Sequence, residues 1–211
     1  MKALVIGATG ATGKDLVLAL LENPEVHEVH VFVRRKMDLH SDKLIVHIVD
    51  FDLPESWNNL VQGDVAFSCM GTTLKVAGSK EAQWRIDFTY QYNFAVAASE
   101  NNVKTFVLLS AHGANSESHL FYSKMKGKLE ASIRKLIFQS LIIVKPGILL
   151  RKGSNRLGER VVVSFLQFVN KLGLLKKYRP IPTNELATSM VNHALLSVKG
   201  CTVIDMNGII R

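Results

Sequence analysis

Only two cysteines occur among 211 residues, Cys69 and Cys201, far apart and each inside an apolar run. That scarcity excludes a disulfide framework or a thiolate metal cluster, and it predicts two buried, reduced thiols and no metal site. The five prolines fall singly at turn positions, so no proline-rich linker divides the chain. Acidic residues are in deficit, 18 against 26 Lys and Arg, for a formal charge of +8. The basic residues are spread from Lys2 to Arg211, with short clusters only at 34–36 and 176–177, and aromatic residues make up 8% of the chain. A nucleic-acid reader concentrates its cations on one face with aromatics between them, so the spread charge is read as solvated surface and no nucleic-acid partner is expected. No run approaches the roughly 18 apolar residues of a membrane helix, VVVSFLQFV at 161–169 included. The chain opens directly on the apolar run ALVI, with no room before it for a targeting leader, which predicts a cytoplasmic address.

What is present is an alternation. Short β-branched runs, ALVIG, VHEVHVFV, LIVHIV, DVAFSC, TFVLLS, SLIIVKP and a late TVIDMN, are separated by segments of helical period at 12–22, 79–100, 118–137 and 184–198, the last with Thr183 as a predicted N-cap. Runs this apolar suit strands covered on both faces. The predicted fold is therefore α/β: one Rossmann-type domain with a doubly wound parallel sheet and helices on both faces. Residues 147–185 form a small appended lid or substrate segment.

The first strand runs straight into GATGATG and then the apolar helix KDLVLALL. Strand, tight glycine turn and helix in that order are what diphosphate binding requires: Gly7 for the turn, Gly10 for close backbone approach, Gly13 for helix against strand, with small Thr9, Ala11 and Thr12 between them. An NAD site places a carboxylate about 20 residues further on to hold the ribose hydroxyls. Here the second strand ends in Arg34 and Arg35, whose guanidinium forks match a 2′-phosphate, so NADP(H) is expected over NAD(H). Asp50 and Phe51 follow the third strand, where they either line the adenine or make an ordinary turn.

Ser110 ends a strand, and 12 residues later a helix carries Tyr122 and Lys126 at spacing i, i+4, hence on one face. A tyrosine with a reference pKa of about 10 is a poor proton shuttle at neutral pH. A lysine ammonium about 4 Å away, at an effective dielectric of about 20, favours the phenolate by on the order of 4 kcal/mol, which is sufficient. Ser110, Tyr122 and Lys126 are the predicted catalytic set, with Ser110 holding the substrate oxygen. His112 and His119 flank the loop and are left outside it.

GATGATG, Arg34, Ser110 and Tyr122-x-x-x-Lys126 together resemble the short-chain dehydrogenase/reductase superfamily in its atypical or extended branch. CMGTT at 69–73, WRIDFTY at 84–90, LLSAHGAN at 108–115, FYSKMKGKLE at 121–130 and KPGILL at 145–150 resemble its Tat-interacting-protein oxidoreductase family, along nearly the whole chain. The resemblance implies Gly71 and Thr72 near the cofactor, Tyr122 and Lys126 at the nicotinamide ribose, and Pro146 and Gly147 beside the nicotinamide. Asp87 stands where many members of the superfamily keep an asparagine. The family includes regulatory and cofactor-sensing proteins as well as enzymes, so two functions stay open. One is an NADPH-dependent reductase of a small carbonyl substrate. The other is a cofactor-sensing module that binds a protein partner through 147–185, whose apolar spacing with Lys171, Lys176, Lys177 and Arg179 would also suit peripheral membrane contact. Monomer and homodimer are both compatible with the sequence.

Overall fold

The inner strands are short apolar runs that need cover on both sides, and the fold supplies it, while the two edge strands stay partly open. A computed structural model describes residues 1–147, 149–150 and 180–209. β1 (Lys2–Ile6) leads into α1 (Ala11–Glu22), then β2 (Glu28–Val33), β3 (Leu44–Ile48) and β4 (Val65–Ser68). α2 (Leu74–Ala77) and α3 (Lys80–Trp84) follow, then a π-helical turn over Arg85–Thr89 and α4 (Tyr90–Glu100). β5 (Thr105–Leu109), α5 (Phe121–Ile133) and β6 (Ser140–Val144) complete the nucleotide-binding half. β7 (Leu149–Leu150) and β8 (Ile181–Pro182) pair in parallel, tying the ends of the appended segment together before α6 (Thr183–Leu196), β9 (Gly200–Ile204) and α7 (Met206–Ile209). Residues 151–179, and with them the lid, the partner face and the membrane-contact reading, lie outside the described residues.

The main sheet is seven-stranded, in the order β3-β2-β1-β4-β5-β6-β9, and every neighbouring pair is parallel. This is the expected Rossmann-type, doubly wound single domain. Alternate residues of the strands face opposite layers. Ala3, Val5, Phe67, Val107 and Ile142 pack against Leu16, Val17 and Leu20 of α1 and Leu186 and Met190 of α6. Leu4, Ile6, Ala66, Phe106 and Ile143 pack against Phe94 and Ala98 of α4 and Leu129 and Ile133 of α5. Strand order reverses between β1 and β4, and the crevice at that switch point, above the carboxyl ends of the strands, is where open α/β sheets bind ligands.

Three sequence expectations need correction. Cys201 is exposed and accepts a hydrogen bond from Arg134 Nη1 at 2.8 Å, because β9 is the edge strand and leaves one face uncovered, whereas Cys69 is buried as expected. Thr183 is the first helical residue of α6 and not its cap: Pro182 occupies the cap position, where its missing N–H costs nothing, and Thr183 is buried. The single helix expected over 79–100 is interrupted by the π turn. There the Tyr90 N–H reaches back to the Arg85 carbonyl, and the extra residue in the turn brings Asp87 to the inside. Among the described residues no helix is long and apolar enough to cross a membrane.

Candidate functional site

The glycine turn is closed by two approaches that only hydrogen side chains permit. Gly7 has φ +78°, and a Cβ on it would sit 2.5 Å from the Cys69 carbonyl carbon, so β1 and β4 come together over it. A Cβ on Gly13 would lie 2.0 Å from the Gly7 oxygen, which seats the first turn of α1 directly on the loop. Gly10 is the α1 N-cap and donates its N–H to Gly7 O at 2.9 Å. No side chain caps this helix and no acidic residue stands in its first turn, so the dipole and the amides following Gly10 are left for an anion. Thr9, Gly10 and Ala11 are exposed and Thr12 is buried. The uncapped amides and the absence of an acid suit a diphosphate, and a Cβ at Gly7 or Gly13 would collide with the backbone that shapes the turn.

Beside the turn lies a cleft of about 360 Å³ lined by Thr9, Lys14, Leu18, Lys36, Met37 and Asp38. Arg34 and Arg35 are exposed at the end of β2, but the cations in the cleft wall are Lys14 and Lys36. The sequence reading passed over both, although Lys14 directly follows the last glycine. An acid it did not count, Asp38, lines the same cleft. Phe51 is a core residue, 3% exposed, with its ring against Tyr90 and Trp57. Asp50 makes the turn reading real: its carboxylate accepts the Asp52 N–H and its carbonyl the Trp57 indole N–H. A larger cleft, about 520 Å³ between Asp52, Lys80, Trp84, Arg85 and Phe121, includes none of the predicted site residues.

The remaining predicted residues collect at the same sheet edge. Gly71 is exposed just past β4, and the Thr72 N–H donates to Asp87 Oδ1 at 2.7 Å. Pro146 is buried past β6, with its carbonyl accepting the His112 N–H at 3.0 Å, and the Gly147 N–H points at Met206 Sδ. Tyr122 is 44% exposed in the first turn of α5, and one turn further on Lys126 is buried. Burial pushes the Lys126 ammonium below the usual lysine range, opposed first by Asp87 and then by Cys69 and Glu130. Burial also drives the Cys69 thiol up to about 12, so it is an inert wall and no nucleophile.

Ser110 departs from its expected role. Its hydroxyl, at the end of β5, donates to Glu130 Oε1, and Glu130 Oε2 is paired with Lys145 Nζ at 2.8 Å. Ser110 is 5% exposed and its hydrogen is engaged, so it has no free donor for a substrate oxygen. Glu130 is the residue of this cluster that sequence reasoning missed, whereas Asp87 was singled out by the resemblance but given no role. Glu130 was within reach of the periodicity, since Tyr122, Lys126 and Glu130 follow one another at i, i+4 and i+8.

The glycine turn is built as a nucleotide cradle, and comparison with known proteins agrees with that part of the reading. A family model described as NAD(P)H-binding matches residues 7–158. The chain belongs to the NAD(P)H-binding family. Its relatives include Protein FMP52, mitochondrial, of Meyerozyma guilliermondii, 34% identical over 205 residues that cover 94% of this chain and 88% of that protein. Another is the protein of the same name from Debaryomyces hansenii, 40% identical over 157 residues covering 72% and 68%. Among solved structures, the oxidoreductase ylbE of Lactococcus lactis superposes with a TM-score of 0.67 at 17% identity, covering 100% of this chain and 95% of that one. A dTDP-4-dehydrorhamnose reductase from Bacillus anthracis, solved with NADP, gives 0.65 at 18% identity, covering 97% and 75%. At such identities the structures speak for the fold alone, a Rossmann-type parallel sheet covered by helices on both faces. The curated relatives overturn one expectation. The cytoplasmic address rested on seeing no leader ahead of β1, and the relatives are named mitochondrial proteins. A first strand that starts at Lys2 and lies inside the sheet says nothing of the compartment.

Proposed function

We propose that this protein is an NADPH-dependent reductase of a small aldehyde or ketone, with Tyr122 as the proton donor. The observation that carries it is the half-exposed Tyr122 one helical turn from the buried Lys126, on the helix that follows β5. When bound, the nicotinamide supplies the hydride. The α1 amides would hold the diphosphate, and Thr9, Lys14 and Lys36 would receive the adenosine end with Arg34 and Arg35 flanking it, while Gly71 and Gly147 stand past the ends of β4 and β6. The preference for the 2′-phosphate is supported by these cations and by arginines standing directly after β2.

Tyr122 gives its phenolic proton to the carbonyl oxygen as negative charge develops there. Lys126, held charged by its acidic neighbours, stabilises the phenolate left behind. Ser110 acts through Glu130 and Lys145 to fix the β5 end against α5, without binding substrate itself. The mitochondrial names of the relatives make the mitochondrion the proposed compartment.

The test has two steps. Thermal unfolding with NADPH, with NADH and with no ligand is expected to show the larger rise with NADPH, because a ligand that binds only the folded state must stabilise it. Turnover on a panel of small carbonyls is then expected to fall on the order of 100-fold or more in Tyr122→Phe with NADPH binding retained. Unchanged turnover in that variant, or tight NADPH binding with no carbonyl reduced, refutes the assignment.

A further inference from the structure

Three buried polar side chains, Gln83, Asp87 and Gln91, stand four residues apart along α3, the π turn and α4, and all of them engage the chain at or just past the end of β4. Gln83 is buried, and Asp87 and Gln91 are wholly enclosed. Gln91 accepts the hydroxyl of Ser68, the last residue of β4, at 2.8 Å and gives its side-chain amide to the Asp87 main-chain carbonyl at 2.7 Å, which fixes the π turn to the strand end. Asp87 Oδ1 accepts the Thr72 N–H at 2.7 Å, and the Gln83 side-chain amide donates to the Thr72 carbonyl at 3.4 Å. Both polar groups of the Thr72 main chain are therefore held by buried side chains of one helical run. Asp87 Oδ2 is enclosed without a hydrogen-bond partner among the described residues, and burial pushes the carboxyl above the usual carboxylate range. A neutral acid accepts at Oδ1 as an ionised one does, so this clamp does not depend on charge.

What the clamp holds is a wall of the glycine turn. A Cβ on Gly7 would lie 2.5 Å from both the Cys69 carbonyl carbon and the Met70 nitrogen, so residues 69–70 pack directly on the turn. Gly71, between that contact and the clamped Thr72, is exposed, and a Cβ on it would meet nothing within 4 Å, so its face is open to a ligand. We propose that Asp87, with Gln83 and Gln91 beside it, is a positioning residue for the cofactor: by holding the Thr72 N–H it keeps residues 69–72 in place against Gly7, so that a bound dinucleotide meets a fixed wall. This rests on the NADPH reading given above and adds to it the side chains that set the wall. Asparagine at position 87 keeps an oxygen for the Thr72 N–H, whereas leucine, of similar size, leaves that N–H without its acceptor.

The test measures NADPH affinity by fluorescence titration in the parent, in Asp87→Asn and in Asp87→Leu, well below the melting temperature of each as read by thermal unfolding. Asp87→Asn is expected to bind within about threefold of the parent, because the acceptor survives, and Asp87→Leu about tenfold or more weaker. A side chain that served folding alone would lower the Asp87→Leu melting temperature and leave the affinity of the folded protein unchanged. Asp87→Leu binding like the parent, or Asp87→Asn binding as weakly as Asp87→Leu, therefore overturns the proposal while leaving the cofactor reading intact, and a parent that binds no NADPH overturns both. Should Asp87→Leu fail to fold, amide hydrogen exchange in the parent decides the matter. Exchange at residues 70–73 that slows when NADPH is added supports the proposal, and exchange there that NADPH leaves unchanged overturns it.

Discussion

Two glycines of the same turn should respond very differently to alanine. At Gly13 the new methyl would lie 2.0 Å from Gly7 O, 2.7 Å from Gly7 C and 3.0 Å from Ala8 Cα, all backbone atoms. Ordinary contact needs about 3.4 Å or more, so α1 must move off the loop by over an ångström or the loop must deform. Overpacking against a rigid neighbour costs about 1–3 kcal/mol, and backbone on both sides puts this case at the upper end. For a chain of this length about 3 kcal/mol lowers Tm by roughly 6–12 °C. At Gly10 the methyl would meet only Gly7 O, at 3.3 Å, and φ is −75°, which any residue adopts. Loss of glycine at the cap and the gain from a stiffer unfolded chain nearly offset one another, leaving Gly10→Ala within about 1 kcal/mol of the parent. Thermal unfolding with and without NADPH reads both effects. Gly13→Ala is expected to melt several degrees lower and to lose the NADPH-dependent rise, because the amides of α1 no longer aim at the diphosphate. A Gly13→Ala protein that melts within about a degree of the parent and still responds to NADPH would refute the close-approach argument.

Two further outcomes follow from the core and the edge of the sheet. Phe94 is fully buried between Phe32, at 5.6 Å and edge-on, and Phe106 at 6.3 Å, so Phe94→Ala is expected to cost about 3–5 kcal/mol in urea unfolding, and a loss below about 1 kcal/mol would contradict the packing. His47 Nε2 lies 2.8 Å from His30 Nδ1, and burial, with His30 and Lys2 behind it, holds its pKa below the usual value near 6.5. The folded state then binds fewer protons than the unfolded one, so the stability His47 contributes is complete above about pH 6.5 and declines as pH falls through its folded pKa. His47→Gln should therefore narrow the Tm difference between about pH 7.5 and pH 5.5, and an unchanged difference would assign the acid sensitivity elsewhere.

Much of the nucleotide site was legible because it is local. Gly7, Gly10 and Gly13 stand between an apolar strand and an apolar helix, and Tyr122 and Lys126 are one helical turn apart, so spacing alone places each set. Phe51 shows the limit of such spacing, since nothing local says whether an aromatic after a strand faces a ligand or, as here, Trp57 and Tyr90. The lysines of the cleft beside the glycine turn were missed for a related reason: Lys14 and Lys36 are 22 residues apart and line one cleft only because β1 and β2 are neighbours.

Periodicity and turn chemistry were enough to specify a parallel sheet, a phosphate-ready helix end and a helix with Tyr122 and Lys126 one turn apart, since each depends on residues within a turn or two of one another. The pairing of polar groups was settled by the crossovers of the fold. Ser110 finds Glu130 across 20 residues, Thr72 finds Asp87 across 15, and the π turn rather than any sequence period directs Asp87 inward. Buried carboxylates take partners according to which backbone segments the sheet brings together, and that arrangement exists only once the chain has closed around its core.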